Sequence, residues 1–198
     1  MKQRIAARLP LICIVLGAAL AIAAAGMLLY NSISLSLAKN DAVEILAQAQ
    51  ALMPPIENRA PEERGNNAMA SIQIDGVNVI GVMELPKYGR TLPIASGWNT
   101  ALLKSIPCRF TGSIYDKTLI IGATDGETQL DFVTKMDVGD QIILTDMEGG
   151  KYTYRVDTIQ HSKHAGASKL KEGDYALTVF VKNSKNSEYL LIRCSYGK

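Results

Sequence analysis

Cysteine and histidine, the strongest candidates for a nucleophile and a general acid, are few in this sequence. The candidates are three cysteines, Cys13, Cys108 and Cys194, and two histidines, His161 and His164. A cysteine thiolate attacks carbonyl carbons, and a neighbouring imidazole can protonate the leaving group. Both histidines lie in the polar segment HSKHAGASKL, which favours solvated loop positions. No CxxC motif and no Cys/His spacing indicates zinc, so we predict neither a metal nor a cofactor.

The N-terminal segment predicts how the remaining elements are placed. The 22 residues 9–30 include no charged side chain. About 20 apolar residues suffice to span a bilayer as a helix. Because Lys2, Arg4 and Arg8 precede this run, the positive-inside rule places residues 1–8 in the cytoplasm and the rest of the chain outside. The alternative is a cleaved signal peptide, in which AIAAAG would be the cleavage region.

The charge of the chain is small and uneven. The net charge is +2, and three of the 21 basic residues precede the apolar run, which leaves the remainder close to neutral. A nucleic-acid-binding surface normally shows a basic patch or stripe. We therefore predict no nucleic-acid partner, and the uncharged run predicts the membrane as a partner.

The cysteines outside the apolar run allow two interpretations. Cys108 and Cys194 fall in the part predicted to face outward, where disulfides persist. They can form one bridge if their Cα atoms lie within about 7 Å. They can equally be buried thiols, since Cys194 lies in a strand pattern. Cys13 falls within the apolar run and favours a packing role.

Residues 31–70 read as a helical stalk and linker. A helical pattern covers residues 42–52, and Pro54 and Pro55 end it. The polar segment ENRAPEERGNNAMA then has the composition of a linker. Two interpretations are open: a stalk that lifts the domain off the membrane, or a regulatory helix that covers the domain.

Residues 71–198 have the pattern of a mainly β domain. Short alternating or apolar runs recur, among them IQIDGVNVIGVMEL, TLIIGA, DQIILTD, YTYRVDTI, ALTVFV and YLLIRC. The segment around EGG predicts a hairpin turn between two of them. Many short strands with regular turns and little helix indicate a sandwich or a barrel with one hydrophobic interior.

The order of motifs in this domain resembles the sortases, membrane-anchored cysteine transpeptidases of Gram-positive bacteria. The motifs are LPKYGRTLPI, PCRFTGSIYDKTLIIGA, VGDQIILTDMEGGKYTYRV, GDYALTVF and IRC. The resemblance is greatest to class B-like and class D-like members and covers residues 72–194. It implies a closed eight-stranded β-barrel with short helices after an N-terminal transmembrane helix. It also implies sorting-motif peptides as ligands, with a pilin or a partner sortase as further possible partners.

The residues that carry the chemistry of that family are all substituted here. The resemblance implies a cysteine after Leu-Thr-Leu-x-Thr at the end of the penultimate strand, where this chain has Lys182. The arginine expected seven residues later is Tyr189. The histidine expected after TLIIGA is Thr124. We therefore predict a pseudo-sortase, without enzymatic activity.

Three functional hypotheses follow. The first is a membrane-tethered module that binds peptides or scaffolds the display of surface proteins or pili. The second is a transpeptidase with altered groups, in which Lys182 would have to be the nucleophile. The third is a structural envelope domain without a peptide groove. Calcium, which some relatives use, is not predicted, because the carboxylates of Asp125, Glu127, Glu172 and Asp174 are scattered.

Lys182 itself allows two expectations. An ammonium that is partly buried in the former catalytic centre needs a partner. We expect that partner to be Asp125, Glu127 or the hydroxyl of Thr124. The alternative is that the side chain extends into solvent, as most lysines do.

Overall fold

The structure is a computed structural model that describes residues 9–62, 68–124, 133–183 and 188–197. Within these ranges it does not describe the side chains of residues 9–15, 29–40, 104 and 134. The chain divides into two compact units, Met1–Leu37 and Ala38–Lys198.

The first helix, α1, runs without interruption from Leu9 to Leu52. The sequence predicted an anchor over residues 9–30 and a separate helical pattern over residues 42–52, and one continuous helix covers both segments. No proline lies between Pro10 and Pro54, so nothing breaks the backbone hydrogen-bond ladder before residue 52. Large apolar side chains of residues 16–28 are exposed, namely Leu16, Leu20, Ile22, Met27 and Leu28. Among the residues that the structure describes, no helix is long and apolar enough to cross a membrane.

The rest of the chain is mainly β. Its strands are β1 (Glu57–Asn58), β2 (Ile72–Ile74), β3 (Val77–Leu85), β4 (Arg90–Ala95), β5 (Cys108–Thr111), β6 (Leu119–Thr124), β7 (Gln141–Asp146), β8 (Gly150–Ser162), β9 (Leu177–Lys182) and β10 (Tyr189–Tyr196). One short helix, α2 (Ala167–Leu170), precedes β9, and 3₁₀ turns cover Pro86–Tyr88, Leu102–Lys104 and Val133–Lys135.

Strands β3 to β10 close into a barrel. The pairing runs β8, β10, β9, β6, β5, β4 and β3, and β7 joins β3 back to β8. The pairs β4/β5 and β6/β9 are parallel, and the other pairs of this ring are antiparallel. The eight-stranded closed barrel is thus confirmed, with β1 and β2 as short additions.

The barrel interior holds the main hydrophobic core. Every second residue of the strands points inward, which is the period of a β-strand. Ile80, Leu92, Ile121, Val179 and Ile192 are examples, each 2% exposed or less. This alternation assigns the remaining positions of β6, β9 and β10 to the outer face.

The predicted hairpin around EGG is confirmed between β7 and β8. Asp146 ends β7, and its carboxylate oxygen Oδ1 accepts hydrogen bonds from the backbone N–H groups of Glu148 (3.0 Å) and Gly150 (2.8 Å). Gly149 has a φ of 78°, a left-handed conformation that glycine adopts without strain. The turn residues therefore determine where β8 begins.

The C-terminal part of α1 packs on the barrel. Ala42, Ile45 and Ala49 are 1%, 5% and 0% exposed, and their spacing of three and four residues places them on one helix face. Ile45 and Ala49 contact a cluster that includes Val79 and Val82 of β3. This part of the helix therefore lies on the domain, and the role of residues 31–70 as a stalk or as a regulatory helix stays a prediction.

Candidate functional site

Thr124, Lys182 and Tyr189 form one row across three adjacent strands. In the parallel pair β6/β9, Thr124 is opposite Lys182. In the antiparallel pair β9/β10, Tyr189 is opposite Lys182. Residues opposite each other on paired strands project to the same face. The structure therefore brings together the three positions that the resemblance predicts to be substituted, and we name them the substituted row.

The side chains of the substituted row have different surroundings. Thr124 is half-buried, and its hydroxyl donates a 2.8 Å hydrogen bond to the carbonyl oxygen of Leu103. Lys182 is exposed, and Tyr189 is half-buried. Over the described ranges, the ammonium of Lys182 forms no hydrogen bond or ion pair with another residue. The expected pairing with Thr124 is thus not formed, while Asp125 and Glu127 lie outside the described residues.

Neither Lys182 nor Thr124 is placed to act as a nucleophile. An amine becomes a nucleophile when it is desolvated in an apolar pocket or set beside another cation. Lys182 is exposed, and its described strand neighbours in the row are a hydroxyl and a phenol. The Thr124 hydroxyl is bonded to a backbone carbonyl, which is not a general base.

The two described cysteines are buried free thiols. Cys108 and Cys194 are both 0% exposed, and neither forms a disulfide. Burial raises the pKa of the Cys108 thiol, although a hydrogen bond with the backbone of Asn99 partly opposes the shift. Burial also raises the pKa of the Cys194 thiol, and the charge of Asp157 adds to the shift. Since the thiolate is the reactive form, neither cysteine is suited to nucleophilic attack.

We expect both thiols to resist alkylation in the native protein. Their native pKa values lie above the unfolded ones, so their contribution to stability is complete below the unfolded thiol pKa. It is lost as the pH rises from the unfolded towards the native value. Labelling with iodoacetamide, followed by mass spectrometry, should modify Cys108 and Cys194 in urea but not in buffer near neutral pH. Rapid modification of either one without denaturant would contradict the burial.

The histidines lie away from the substituted row. His161 is exposed on β8 and is opposite Leu190 of β10. Leu190 follows Tyr189 directly, so the two side chains point to opposite faces of the sheet. His164 is exposed in the loop before α2. Both histidines are exposed to solvent as predicted, but the prediction of loop positions is wrong for His161, which lies on β8.

An aromatic cluster lies beside the row on the outer face. Trp98 stacks on Phe180, with ring centroids 5.6 Å apart and an interplanar angle of 17°. Phe110 meets both rings edge-on, at 5.4 Å and 5.8 Å. Tyr189 lies 6.5 Å from Phe180. We name these four residues the aromatic cluster; it joins the substituted row through Tyr189.

Sequence reasoning did not identify Trp98 and Gly122 as part of this surface. A Cβ atom at Gly122 would lie within 3.0 Å of both Trp98 and Phe180. A glycine inside an apolar strand often marks a close approach of another group, and this was the available signal. It could not reveal that the approaching group is the indole of a different loop.

Arg193 holds the loop that borders this face. Its side chain is 2% exposed and donates hydrogen bonds to the carbonyl oxygens of Lys169 (2.8 Å) and Glu172. Its guanidinium also lies 5.1 Å from the ring centroid of Tyr175. Arg193 therefore fastens residues 169–175 to β10. Its burial leaves it unable to reach a ligand on the outer face.

A depression continues from the aromatic cluster along the same face. It has a volume of about 240 Å³, and its lining includes Thr111, Lys117, Ile120, Leu170, Lys171 and Thr178. Ile120 and Thr178 are opposite each other on β6 and β9, four residues before Thr124 and Lys182. The outer face of these two strands thus carries a depression, an aromatic cluster and the substituted row in succession.

The described residues contain no group of three or more His, Cys, Asp or Glu side chains that could hold a metal ion. Glu172 forms a 2.6 Å ion pair with Lys169, which lowers the pKa of its carboxyl group. Because Asp125 and Glu127 lie outside the described ranges, the prediction that calcium is not bound stays a prediction.

Solved structures provide the comparison for this fold, since no family model and no curated protein matches the sequence. Sortase C1 of Streptococcus agalactiae is 24% identical, with a TM-score of 0.54 over 64% of this chain and 71% of that chain. Clostridium perfringens sortase C with the C-terminal cell wall sorting motif is 22% identical, with a TM-score of 0.53 over 61% and 71%. A pilus-related sortase C of Group B Streptococcus is 21% identical, with a TM-score of 0.53 over 77% and 87%.

These neighbours are sortase C enzymes, whereas the sequence motifs indicated class B-like and class D-like relatives. At this level of identity the likeness establishes the fold. The closed eight-stranded ring and the neighbours agree on one conclusion: this chain has the sortase fold.

Proposed function

We propose that this protein is a pseudo-sortase, a catalytically inactive member of the sortase family that binds peptides on the outer face of β6 and β9. The observation that supports the proposal is the substituted row. Thr124, Lys182 and Tyr189 occupy adjacent positions, so the three substitutions affect one site rather than scattered points. A thioacyl intermediate requires a thiolate, and the two described thiols are buried elsewhere.

The proposed ligand is an extended sorting-motif peptide, alone or as part of a pilin or a surface protein. The solved sortase C of Clostridium perfringens was obtained with a cell wall sorting motif. In this chain the corresponding support is the aromatic cluster with the adjoining depression, because aromatic-lined grooves bind proline-containing extended peptides. The role would be to hold or present such segments during surface-protein or pilus display, and a partner sortase could receive them.

We propose further that residues 9–30 tether the domain to the cell membrane, with residues 1–8 in the cytoplasm and the barrel outside. The support is the uncharged run of 22 residues and the three basic residues that precede it. A reporter fused after residue 198 and tested for accessibility to an external protease examines this orientation. Protection of the reporter in intact cells would contradict it.

Incubation of the full chain with a fluorogenic sorting-motif peptide tests the proposed function. We expect fluorescence anisotropy to show saturable binding and the fluorogenic signal to show no cleavage. The control is a peptide of the same composition in scrambled order. Cleavage at a rate within a few-fold of an active sortase would establish the transpeptidase alternative. Absence of binding would favour a purely structural envelope domain.

A further inference from the structure

Trp98 covers the floor of the outer face next to the substituted row. Its indole lies over Gly122 of β6 and stacks on Phe180 of β9. These two floor residues are opposite each other and precede Thr124 and Lys182 by two positions. A peptide that lies along β6 and β9 would therefore meet the indole before it reaches the row.

The loop that carries Trp98, residues 96–107, is held tightly at both ends. Arg109 donates a 2.7 Å hydrogen bond through Nε to the carbonyl oxygen of Ser96. The backbone N–H of Ala95 donates to the carbonyl of Pro107 at 2.9 Å. These bonds fix the base of the loop, while the indole itself remains 44% exposed. The position of the indole thus depends on how the middle of the loop is supported.

Helix α1 supports the middle of this loop. Ala42 is 1% exposed and packs in one cluster with Leu103 (7%) and Ile106 (1%), both in the loop. On its other side, Leu103 accepts the hydrogen bond from the Thr124 hydroxyl. One turn of the loop therefore contacts the helix and the substituted row at the same time. Any displacement of the helix must change the packing of this turn, because close-packed interiors do not deform continuously.

We propose that docking of α1 through Ala42 keeps the Trp98 loop closed over the outer face, and that release of the helix uncovers Gly122 and Phe180. The significance for peptide binding rests on the proposed function. The mechanical coupling between helix and indole does not, and it can be measured without any ligand.

Trp98 is the single tryptophan of the chain, so its fluorescence reports directly on the loop. The test variant is Ala42→Asp, which places a charge in the helix–loop contact. The matched control is Val43→Asp, which adds the same charge at the neighbouring, 60% exposed position. Gly122→Ala is the reference for a displaced indole, because its Cβ would overlap the ring.

In the full chain, Ala42→Asp is expected to shift the emission of Trp98 to longer wavelength. Acrylamide quenching should rise about twofold, because the exposed fraction of the Trp98 residue can increase from 44% towards full exposure. Val43→Asp should leave both quantities unchanged. If the Ala42→Asp variant loses its far-ultraviolet circular dichroism spectrum, Ala42→Ser takes its place as a milder polar change.

A folded Ala42 variant with wild-type emission and quenching would overturn the coupling, as would an equal response of the Val43→Asp control. Peptide anisotropy on the same proteins separates this result from the proposed function. Release of Trp98 with tighter peptide binding supports both. Release without any binding retains the coupling and removes the peptide-binding function.

Discussion

The triple variant Thr124→His, Lys182→Cys, Tyr189→Arg is expected to cleave a sorting-motif peptide about 100-fold faster or more than Lys182→Cys alone. General acid catalysis typically contributes a factor of about 10² to 10⁴, and oxyanion stabilisation contributes about 10² to 10³. Groups that act as a unit give little activity when only one is present. The register places the three positions next to one another on adjacent strands. The introduced side chains would therefore project to the same face of the sheet.

Successive side chains of a strand point to opposite faces, so a thiol placed one residue earlier is a matched control for this experiment. In Thr124→His, Val181→Cys, Tyr189→Arg the thiol moves by one residue to Val181, which is 2% exposed and points into the barrel. This control should be inactive. All variants should also be prepared in a Trp98→Ala background, since the indole covers the floor beside the row. Equal rates for the single and triple variants in that background would show that Thr124, Lys182 and Tyr189 are not the catalytic positions of the family.

Replacing Arg193 by leucine is expected to lower the free energy of unfolding by about 3 kcal/mol, since hydrogen bonds to charged groups contribute about 1.5–3 kcal/mol each. The variant retains the bulk of the side chain but leaves the carbonyl groups of Lys169 and Glu172 without their donor. For a chain of this size, such a loss corresponds to a fall in the melting temperature of about 10 °C. Urea unfolding, followed by circular dichroism, measures it.

The matched control for Arg193 is Arg155→Leu on β8. Arg155 is exposed, and the one hydrogen bond described for its side chain is long, at 3.5 Å to the carbonyl of Gly139. Its replacement should cost less than about 0.5 kcal/mol, as is usual for surface positions. If the two leucine variants unfolded at the same urea concentration, Arg193 would not be the fastener of residues 169–175.

Local sequence determined the strands, whereas the positions of the substituted row were inferred from the resemblance to sortases and remain a prediction. The alternation in LTVFVK and YLLIRC predicts strands because side chains of a strand point to opposite faces in turn, and the structure has β9 and β10 there. The hairpin around Gly149 was equally predictable, because turn chemistry is local. The membrane anchor over residues 9–30, the inactivity and the peptide ligand remain predictions.

Tertiary structure alone decided which residues meet. Trp98 and Gly122 are 24 positions apart in the sequence, and only the closing of the barrel sets the indole on the glycine. The docking of Ala42 on the loop and the burial of Arg193 likewise depend on contacts between distant segments. A periodic pattern shows that a strand or helix has an apolar face, but it does not specify which other segment packs against that face. The partner is selected by shape and by hydrogen-bond satisfaction across the whole fold, and this information is not present in any single segment.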